Sequence, residues 1–299
     1  MIIHHEPFRV RFCECDAYGH LNNVNYLRWM QEAAFAASAA VGYDFSRYDE
    51  LAHLWLVRET GIEYLLPLAY NDEVRVKTWV SDFRRSHSLR QYEFIHARSG
   101  QVAARASTDW VYVDAQALRP AAIPLEMQQA FYPDRPPEDP PRQHFPAAPP
   151  PPPGVFSIRR RIEWRDIDMM WHVNNAVYLT YIEDAGVHVA EAHGWPMARM
   201  SEAGFALFAR HHRIEYRIPA KLGDEIEIST WISDVQRSTA VRHYAIRRAG
   251  DGALLARVRT RWAWVDLKSG RPVRVPEAFL ADFADNLSPE THRAGDLRG

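Results

Sequence analysis

The sequence has little cysteine and no long apolar run. Its 299 residues include only two cysteines, Cys13 and Cys15. Because these lie two residues apart on one segment, they are poorly placed to bridge each other, and two ligands do not make a zinc site. No apolar run approaches the ~20 residues of a membrane-spanning helix, and the stretch from Met1 to Pro7 lacks the basic region and apolar core of a signal peptide. We therefore expect a reduced, cytoplasmic protein with no structural metal and no membrane partner.

An excess of charge of either sign is also missing. The chain carries 36 Lys and Arg residues against 38 Asp and Glu residues, for a formal net charge of -2. A basic excess is the electrostatic footprint of a nucleic-acid-binding protein, so we expect no nucleic-acid partner. Apolar residues make up 47% and charged residues 25%. These values are typical of globular proteins and exclude a mostly disordered chain, a coiled coil or a collagen-like fibre.

Proline is concentrated in one place. Eleven of the 20 prolines lie between Pro133 and Gly154. Because proline lacks the amide donor and fixes φ, this stretch cannot form a helix or a central strand, and we expect polyproline II. A spacer between two domains is the favoured interpretation, and a ligand for an SH3-type domain is the alternative.

The two sides of that stretch repeat each other. At a constant offset of 152 residues, 37 of the 112 positions from Arg9 to Pro120 are identical, without a gap. Such self-similarity indicates a duplicated domain of about 130 residues. We expect the first domain at 1–132, the linker at 133–154, the second domain at 155–287 and a tail at 288–299.

Each copy predicts the same order of elements. A strand leads into a turn, a long helix follows, and strands rich in β-branched and aromatic residues complete the copy. One helix followed by antiparallel strands predicts an α+β fold in which a curved sheet wraps the helix. The expected elements are first strands at Phe8–Cys15 and Ser157–Ile167, helices from Asn23 to about Val41 and from Asn175 to about His193, closed by Gly42 and Gly194, and later strands at Asp72–Arg84, His87–Ala97 and Val102–Asp114, with hairpins at Ser99-Gly100 and Asp251-Gly252.

A polar motif precedes each helix. Its form is D-x-x-x-H-x-N-N-x-x-Y, and it runs from Asp16 to Tyr26 and again from Asp168 to Tyr178. In both copies it resembles the motif of the 4-hydroxybenzoyl-CoA thioesterase-type hotdog superfamily, which includes acyl-CoA thioesterases and tandem acyl-ACP thioesterases. Five fixed residues at equal spacing, found twice, make this a specific signal.

The resemblance implies a fold and a site. Hotdog domains pair so that their sheets join, and their active sites lie at the pair interface. We therefore expect two hotdog domains in tandem, packed as a pseudo-dimer within one chain. In the resembled family the motif aspartate is the catalytic carboxylate, which carries over to Asp16 and Asp168. Whether it acts as a base or as a nucleophile stays open.

Thioester hydrolysis needs a base or a nucleophile, and donors for the developing oxyanion. Asp16 and Asp168 lie just before a helix N-terminus, whose free amides and dipole suit an oxyanion. A turn or capping role is the alternative for both carboxylates. The catalytic candidates His20 and His172 follow four residues later. They hydrogen-bond the carboxylate, position water or hold the carbonyl, or they are plain turn residues.

The remaining motif residues are candidate substrate contacts with structural alternatives. The first asparagine of each pair is a turn or cap residue or a substrate ligand, and the second is an expected N-cap that also lines the site. The tyrosine packs in the core or reaches the pocket with its hydroxyl. These candidates are Asn22, Asn23 and Tyr26 in the first copy and Asn174, Asn175 and Tyr178 in the second.

The copies differ inside the motif. Gly19 precedes the histidine in the first copy, and Trp171 holds that place in the second. Many relatives carry glycine there, so Trp171 is expected to narrow or block a site, or to form a wall of the acyl pocket. This difference favours Asp16 as the working carboxylate, with Asp168 as the second candidate.

Recurring arginines and aromatic residues have two interpretations each. The arginines either bind CoA phosphates or are solvated charges on strand faces. The aromatic residues either line an acyl tunnel or fill the core. The arginines are Arg85, Arg90 and Arg105 with their counterparts Arg237, Arg242 and Arg257, and the aromatic residues are Trp55, Trp79, Trp231 and Phe208.

The predicted function is hydrolysis of acyl-CoA or acyl-ACP to a free acid and a thiol, without a cofactor. One alternative is a non-catalytic acyl-CoA-binding or regulatory protein, against which the retention of both Asp and both His residues argues. A hotdog enoyl-thioester hydratase or dehydratase is another alternative, which the motif fits less well. A double chain can be a self-sufficient monomer, and a homodimer of double-hotdog chains is the assembly that we favour.

Overall fold

The two copies of the repeat fold as two units, Met1–His144 and Phe145–Gly299. The computed structural model describes residues 1–133 and 144–289. Residues 134–143 of the expected linker and residues 290–299 of the expected tail therefore lie outside the described residues.

The first unit has one long helix and five antiparallel strands in the order β1-β3-β4-β5-β2. A three-residue 3-10 turn at Phe12–Glu14 follows its first strand. The elements are β1 (His4–Arg9), α1 (Asn23–Ala39), α2 (Phe45–Leu51), β2 (His53–Tyr64), β3 (Glu73–Phe83), β4 (His87–His96), β5 (Val102–Asp114) and α3 (Leu125–Phe131).

The second unit repeats this plan, with strand order β6-β8-β9-β10-β7. Its 3-10 turns lie at Trp164–Asp166 and Ala284–Asn286. The predicted α+β class is confirmed in both units. The elements are β6 (Phe156–Arg161), α4 (Val177–Ala192), α5 (Met197–Glu202), β7 (Phe205–Tyr216), β8 (Glu225–Ser233), β9 (Thr239–Arg248), β10 (Leu254–Asp266) and α6 (Glu277–Asp282).

The long helices pack as their apolar stripes predict. In α4, Tyr178, Ile182, Ala185 and Val189 are all buried, at steps of three or four residues. Ala192, three residues further along the same face, is exposed in the final turn. The corresponding face of α1 is rich in alanine, and these small side chains allow the helix to pack closely against β1 and β3.

Both first strands end earlier than predicted. Instead of continuing to Cys15, the chain leaves the sheet after Arg9 and forms a 3-10 turn. An acidic side chain causes this, because Glu14 Oε2 accepts the backbone N–H at the start of the turn at 2.9 Å. Asp166 Oδ2 does the same in the second unit, also at 2.9 Å. The turn directs the chain into the motif loop that precedes each helix.

The later strands lie within a residue of their predicted bounds, and the hairpins are where the glycines indicate. Gly100 and Gly252 both have a φ of +71°, a left-handed conformation that glycine adopts without steric cost. The strands β2 and β7 and the short helices that follow the long ones were not predicted from the sequence.

The described part of the proline-rich segment lies on the second unit. Its shielded prolines recur every third residue, at Pro146, Pro149 and Pro152. This is the period of polyproline II. Its end is anchored by Asn286, whose Nδ2 donates to the carbonyl of Gly154 at 3.0 Å. Residues 145–154 are thus packed against a domain rather than free in solvent.

Candidate active site

The motif residues form the same tight loop in both units. In the second unit, the N–H of Asp168 donates to the carbonyl of His172 at 3.0 Å, and the N–H of Trp171 donates back to the carbonyl of Asp168 at 3.0 Å. The first unit repeats the bond between Asp16 and His20 at 2.8 Å. This backbone geometry brings the motif aspartate and histidine together at the base of the loop.

The carboxylate of Asp16 closes its own loop. Its Oδ1 accepts the backbone N–H of Tyr18 at 2.9 Å and of His20 at 3.0 Å. The turn role that the sequence offered as an alternative is therefore present, and it fixes the direction of the carboxylate.

In the second unit the structure brings three predicted site residues together. Asp168 Oδ1 accepts the N–H of Met170 at 2.9 Å, and Asp168 Oδ2 accepts the side-chain amide of Asn174 at 3.2 Å. The Nδ1 atom of His172 lies 3.7 Å from Asp168 Oδ1. A carboxylate, an imidazole and an amide thus form one cluster ahead of α4.

The tautomer of His172 follows from its neighbour. Its Nδ1 lies 3.2 Å from the carbonyl oxygen of Val173. Because a carbonyl can only accept, Nδ1 carries the hydrogen, and Nε2 of the neutral ring is an acceptor. That Nε2 is buried and has no hydrogen-bond partner among the described residues. A buried polar atom without a partner is an atom that a ligand or a water would satisfy.

Neither long helix is capped where predicted, since α1 is capped by Asn22, and α4 begins at Val177 without a side-chain cap at the preceding Ala176. Asn22 Oδ1 accepts the N–H of Val24 at 3.0 Å, and Asn174 Oδ1 accepts the N–H two residues on at 2.9 Å. The prediction that Asn23 and Asn175 are the N-caps is therefore wrong. The physical reason is that a carbonyl of the preceding 3-10 turn holds the backbone N–H of Asn22, and likewise of Asn174, at 2.9 Å.

Asn175 has a different place in the site. Its carbonyl accepts the hydroxyl of Tyr216 at 2.9 Å, and its N–H meets no acceptor among the described residues. Asn174 takes the next two amides, that of Ala176 with its side chain and that of Val177 with its carbonyl. The Asn175 amide is thus a donor ahead of α4 that stays available for a ligand oxygen.

The motif tyrosines lie in the core. Tyr26 is 2% exposed and Tyr178 is 3% exposed. The N–H of Ala220 donates to the hydroxyl oxygen of Tyr178 at 3.3 Å, and burial raises the pKa of Tyr178 to about 12. Burial also raises the pKa of Tyr26 far above its usual value, with Asp16 adding to the shift. Packing accounts for both tyrosines.

Trp171 neither blocks a site nor forms a wall of a buried pocket. Its side chain is 71% exposed, and its ring lies edge-on to that of Trp164 with centroids 6.0 Å apart. Its φ is +59°, where Gly19 has +78° in the first unit. The tryptophan keeps a backbone conformation that favours glycine, and this turns its ring outward.

Two of the recurring arginines are excluded as CoA ligands. Arg90 and Arg242 are 5% and 7% exposed, and each lies over the ring of a core phenylalanine, at 5.4 and 5.5 Å. Of the others, Arg105 lies 3.6 Å from Glu93, and Arg257 pairs with Glu215. Burial in the core and pairing on strand faces explain these four.

The expected tunnel aromatics also have packing roles. Trp231 is 5% exposed and stacks on His243 with centroids 5.5 Å apart. Trp55 packs against Tyr112 at 5.0 Å.

A second pair of acids, Glu14 and Asp166, also belongs to the loops and was not predicted from the sequence. Glu14 Oε1 accepts the indole N–H of Trp29 on α1 at 3.3 Å. Asp166 is 5% exposed, and together with burial it raises the pKa of Tyr181 on α4. Glu14 therefore ties the start of its loop to the long helix, and the carboxylate of Asp166 lies close enough to α4 to act electrostatically on Tyr181. The available signal was an acid two residues before each motif aspartate.

Metal-binding clusters and membrane-spanning helices are both absent from the described residues, 1–133 and 144–289. These residues contain no group of three or more His, Cys, Asp or Glu side chains that could hold a metal ion. None of their helices has the length and apolar character needed to cross a membrane.

A long helix on a five-stranded antiparallel sheet, with an Asp–His–Asn loop ahead of the helix and the whole unit repeated, defines a hotdog protein of the thioesterase type. The family model described as the thioesterase-like superfamily matches residues 10–131 and 162–283. The chain belongs to this superfamily. The predicted family, the tandem hotdog fold and, at the level of the family, the enzyme class are confirmed.

Several known proteins are similar to this chain. A Bacillus subtilis protein provisionally named an acyl-CoA thioesterase, YneP, is 27% identical over 44% of this chain and 91% of its own length. The palmitoyl-acyl carrier protein thioesterase of Gossypium hirsutum is 23% identical over 87% of this chain, but only 64% of its own length is matched. The structure of a Lactobacillus plantarum protein provisionally named an oleoyl thioesterase has a TM-score of 0.76 at 18% identity, covering 88% of this chain and 96% of that one. This last likeness supports the fold alone.

Proposed function

We propose that this chain hydrolyses acyl thioesters to a free acid and a thiol, and that Asp168, His172 and Asn174 form a working site. The observation that carries the proposal is the assembly of these three side chains in the loop ahead of α4. Family membership supports the reaction class, because named relatives act on acyl-CoA or acyl carrier protein thioesters.

The first step is attack of water on the thioester carbonyl. The carboxylate of Asp168 takes one proton of the water as a general base. Asn174 and the N–H of Met170 hold the carboxylate in place at 3.2 and 2.9 Å. The acceptor Nε2 of His172 receives the second hydrogen of the same water. With both hydrogens engaged, a lone pair of the water oxygen is directed at the carbonyl carbon.

The tetrahedral intermediate then needs a donor and a leaving group. The Asn175 N–H, next to the positive end of the α4 dipole, supplies the donor for the oxyanion. When the carbon–sulfur bond breaks, the proton held by Asp168 passes to the thiolate, and the free acid and the thiol leave. No group outside the chain is needed to balance the reaction.

The first unit has the same loop around Asp16, so a second working site is part of the proposal. The pseudo-dimer, the homodimer, the domain bounds at 132 and 155 and the cytoplasmic location stay predictions.

The test is thiol release from a panel of acyl-CoA and acyl-ACP thioesters, followed with a thiol reagent. Asp266→Asn is the matched control for the motif-aspartate variants Asp16→Asn and Asp168→Asn. Asp266 also accepts a backbone N–H in a turn, from Ser269 at 2.7 Å. It lies opposite Phe205 at the start of β7, whereas the motif loop contacts Tyr216 at the end of that strand. We expect turnover by the wild type and by Asp266→Asn. Absence of thiol release from every thioester would contradict the proposal.

A binding protein without turnover is the second candidate. It is favoured by one observation. Asp16 Oδ1 accepts two backbone N–H groups of its own loop, which is a structural role that needs no catalysis. Tight acyl-CoA binding without thiol release would support this function instead.

A further inference from the structure

Two exposed indole rings stand beside the site of the second unit. Trp164 is 66% exposed and Trp171 is 71% exposed, and the rings meet edge-to-face at 6.0 Å. Singly exposed apolar side chains are common on a protein surface, but exposed aromatic rings in contact with one another form the kind of patch that marks a binding surface. The loop that carries Asp168 and His172 also carries Trp171, so a ligand on these rings adjoins the site.

The backbone at Trp171 supports a binding role. Its φ of +59° is rare for a bulky residue. Such strain is retained where it serves a function, and the first unit avoids it by using Gly19 at the same position. The ring is therefore kept despite a conformational cost, although it contributes no burial to the core.

A positive charge lies on the chain segment that leads to Trp164. Arg161, at the end of β6, is exposed. Its cross-strand neighbour is Glu225, yet Arg161 makes no ion pair among the described residues. In the first unit the equivalent arginine, Arg9, does pair with its neighbour Glu73. Arg161 is three residues from Trp164, so at most about 10 Å of chain separates them.

We propose that Trp164, Trp171 and Arg161 form a nucleotide platform, on which the adenine of coenzyme A stacks while Arg161 binds its phosphates. Aromatic rings stack on any base, and a guanidinium binds phosphate with paired hydrogen bonds. The platform identifies coenzyme A as the thiol carrier of the substrate. That the substrate is an acyl thioester rests on the proposed function. Two rings and one free guanidinium match a single nucleotide, whereas docking of a carrier protein needs roughly 1,000 Å² or more of surface.

The platform is tested by calorimetric titration of the full chain with free coenzyme A, with pantetheine, which lacks the nucleotide, and with holo acyl carrier protein. Trp171→Gly is the first variant, because the first unit shows that glycine fits this loop. We expect it to weaken coenzyme A binding roughly tenfold and to leave pantetheine binding unchanged. Trp164→Ala and Arg161→Gln are the second and third variants, each expected to weaken coenzyme A binding roughly fivefold.

Phe12→Ala is the matched control, because Phe12 is the counterpart of Trp164, is 81% exposed and lies edge-on to Tyr70 at 6.1 Å. The first unit differs in having Gly19 in place of Trp171 and in pairing Arg9 with Glu73. Phe12→Ala should leave coenzyme A binding unchanged. The platform is overturned if Trp171→Gly binds coenzyme A as the wild type does, if pantetheine binding falls equally, if Phe12→Ala weakens binding as much as Trp164→Ala, or if the variants weaken carrier-protein binding instead.

The proposed function fails separately. If the wild type hydrolyses neither acyl-CoA nor acyl-pantetheine while coenzyme A binding still depends on Trp171, the platform stands and the hydrolase assignment does not.

Discussion

The Nδ1 atom of His172 lies 3.7 Å from Oδ1 of Asp168, and the same nitrogen faces the carbonyl oxygen of Val173 at 3.2 Å. The carbonyl sets the tautomer and the carboxylate sets the position, so the ring presents Nε2 as an acceptor. Removal of the ring therefore removes one of the two groups that hold the attacking water.

His172→Ala should lower kcat about 100-fold, because a positioned acid–base side chain contributes on the order of 10² to 10⁴. KM should change little, since the ring binds water rather than the acyl group. Steady-state thiol release measures both constants. His188→Ala, at an exposed position of α4, is the control and should behave as the wild type. An unchanged kcat in His172→Ala would exclude the ring from the mechanism.

The free energy of unfolding should fall as pH decreases below about 6.5. Burial, with Arg259 and Arg242 nearby, lowers the pKa of His243 to about 4, and burial lowers the pKa of His212 to about 3. Between pH 6.5 and pH 4 the unfolded chain binds more protons at these histidines, so each one contributes a loss of about 1.4 kcal/mol per pH unit. Above pH 6.5 both contributions are fully present.

A matched variant separates His243 from other titrating groups. Its Nε2 lies 2.7 Å from Ser233 Oγ, and in the first unit Gln91 makes the equivalent bond to Ser81 Oγ at 3.1 Å. Urea titrations of the wild type and His243→Gln from pH 8 to pH 4 are the measurement. His243→Gln should show a shallower loss, and identical pH profiles would contradict the low pKa of His243.

The long helices and most strands could be predicted because each rests on a local signal. The buried residues of α4 recur at helical spacing, and Gly252 marks its hairpin without information from other parts of the chain. The early end of the first strands could not be predicted in this way. It depends on Glu14 and Asp166 accepting a backbone N–H three residues earlier, and their spacing alone does not distinguish that bond from an exposed charge.

The sequence predicted which residues belong to the site, but not the contacts that they make. The motif named Asp168, His172 and Asn174, which the structure brings together. It did not resolve that Asn22 caps α1 while α4 starts only at Val177, because the start of each helix depends on contacts with the preceding turn. The outward direction of Trp171 was equally hidden, since nothing about a tryptophan indicates a positive φ.

Asn286→Ala should lower the free energy of unfolding by about 3 kcal/mol. Asn286 is fully buried, its Nδ2 donates to the carbonyls of Gly154 and Thr230 at 3.0 Å, and its Oδ1 accepts from Arg242 at 3.3 Å. The variant leaves a buried guanidinium and two carbonyls without this partner, and each buried polar group that loses a hydrogen bond lowers the free energy of unfolding. Urea unfolding measures the change. Gln236→Ala, at an exposed position, should change it by less than about 0.5 kcal/mol, and an equally small effect in Asn286→Ala would contradict the anchoring role.

Trp171→Gly should raise the free energy of unfolding by about 1 kcal/mol, because it removes the strain of a bulky residue at positive φ while the exposed ring contributes little packing. Thermal unfolding of the variant beside the wild type measures this. A marked decrease in Tm would show instead that the ring stabilises the loop.

The central claim is that a motif carboxylate performs the chemistry. The most direct measurement is kcat for thiol release by Asp168→Asn, Asp16→Asn and the double variant, on the thioester that the wild type turns over best. Asparagine preserves size and the Oδ1 acceptor for the loop amides but cannot take a proton from water. We predict that Asp168→Asn loses at least about 100-fold in kcat, that Asp16→Asn loses less, and that the double variant is inactive. Undiminished turnover in the double variant would contradict the account.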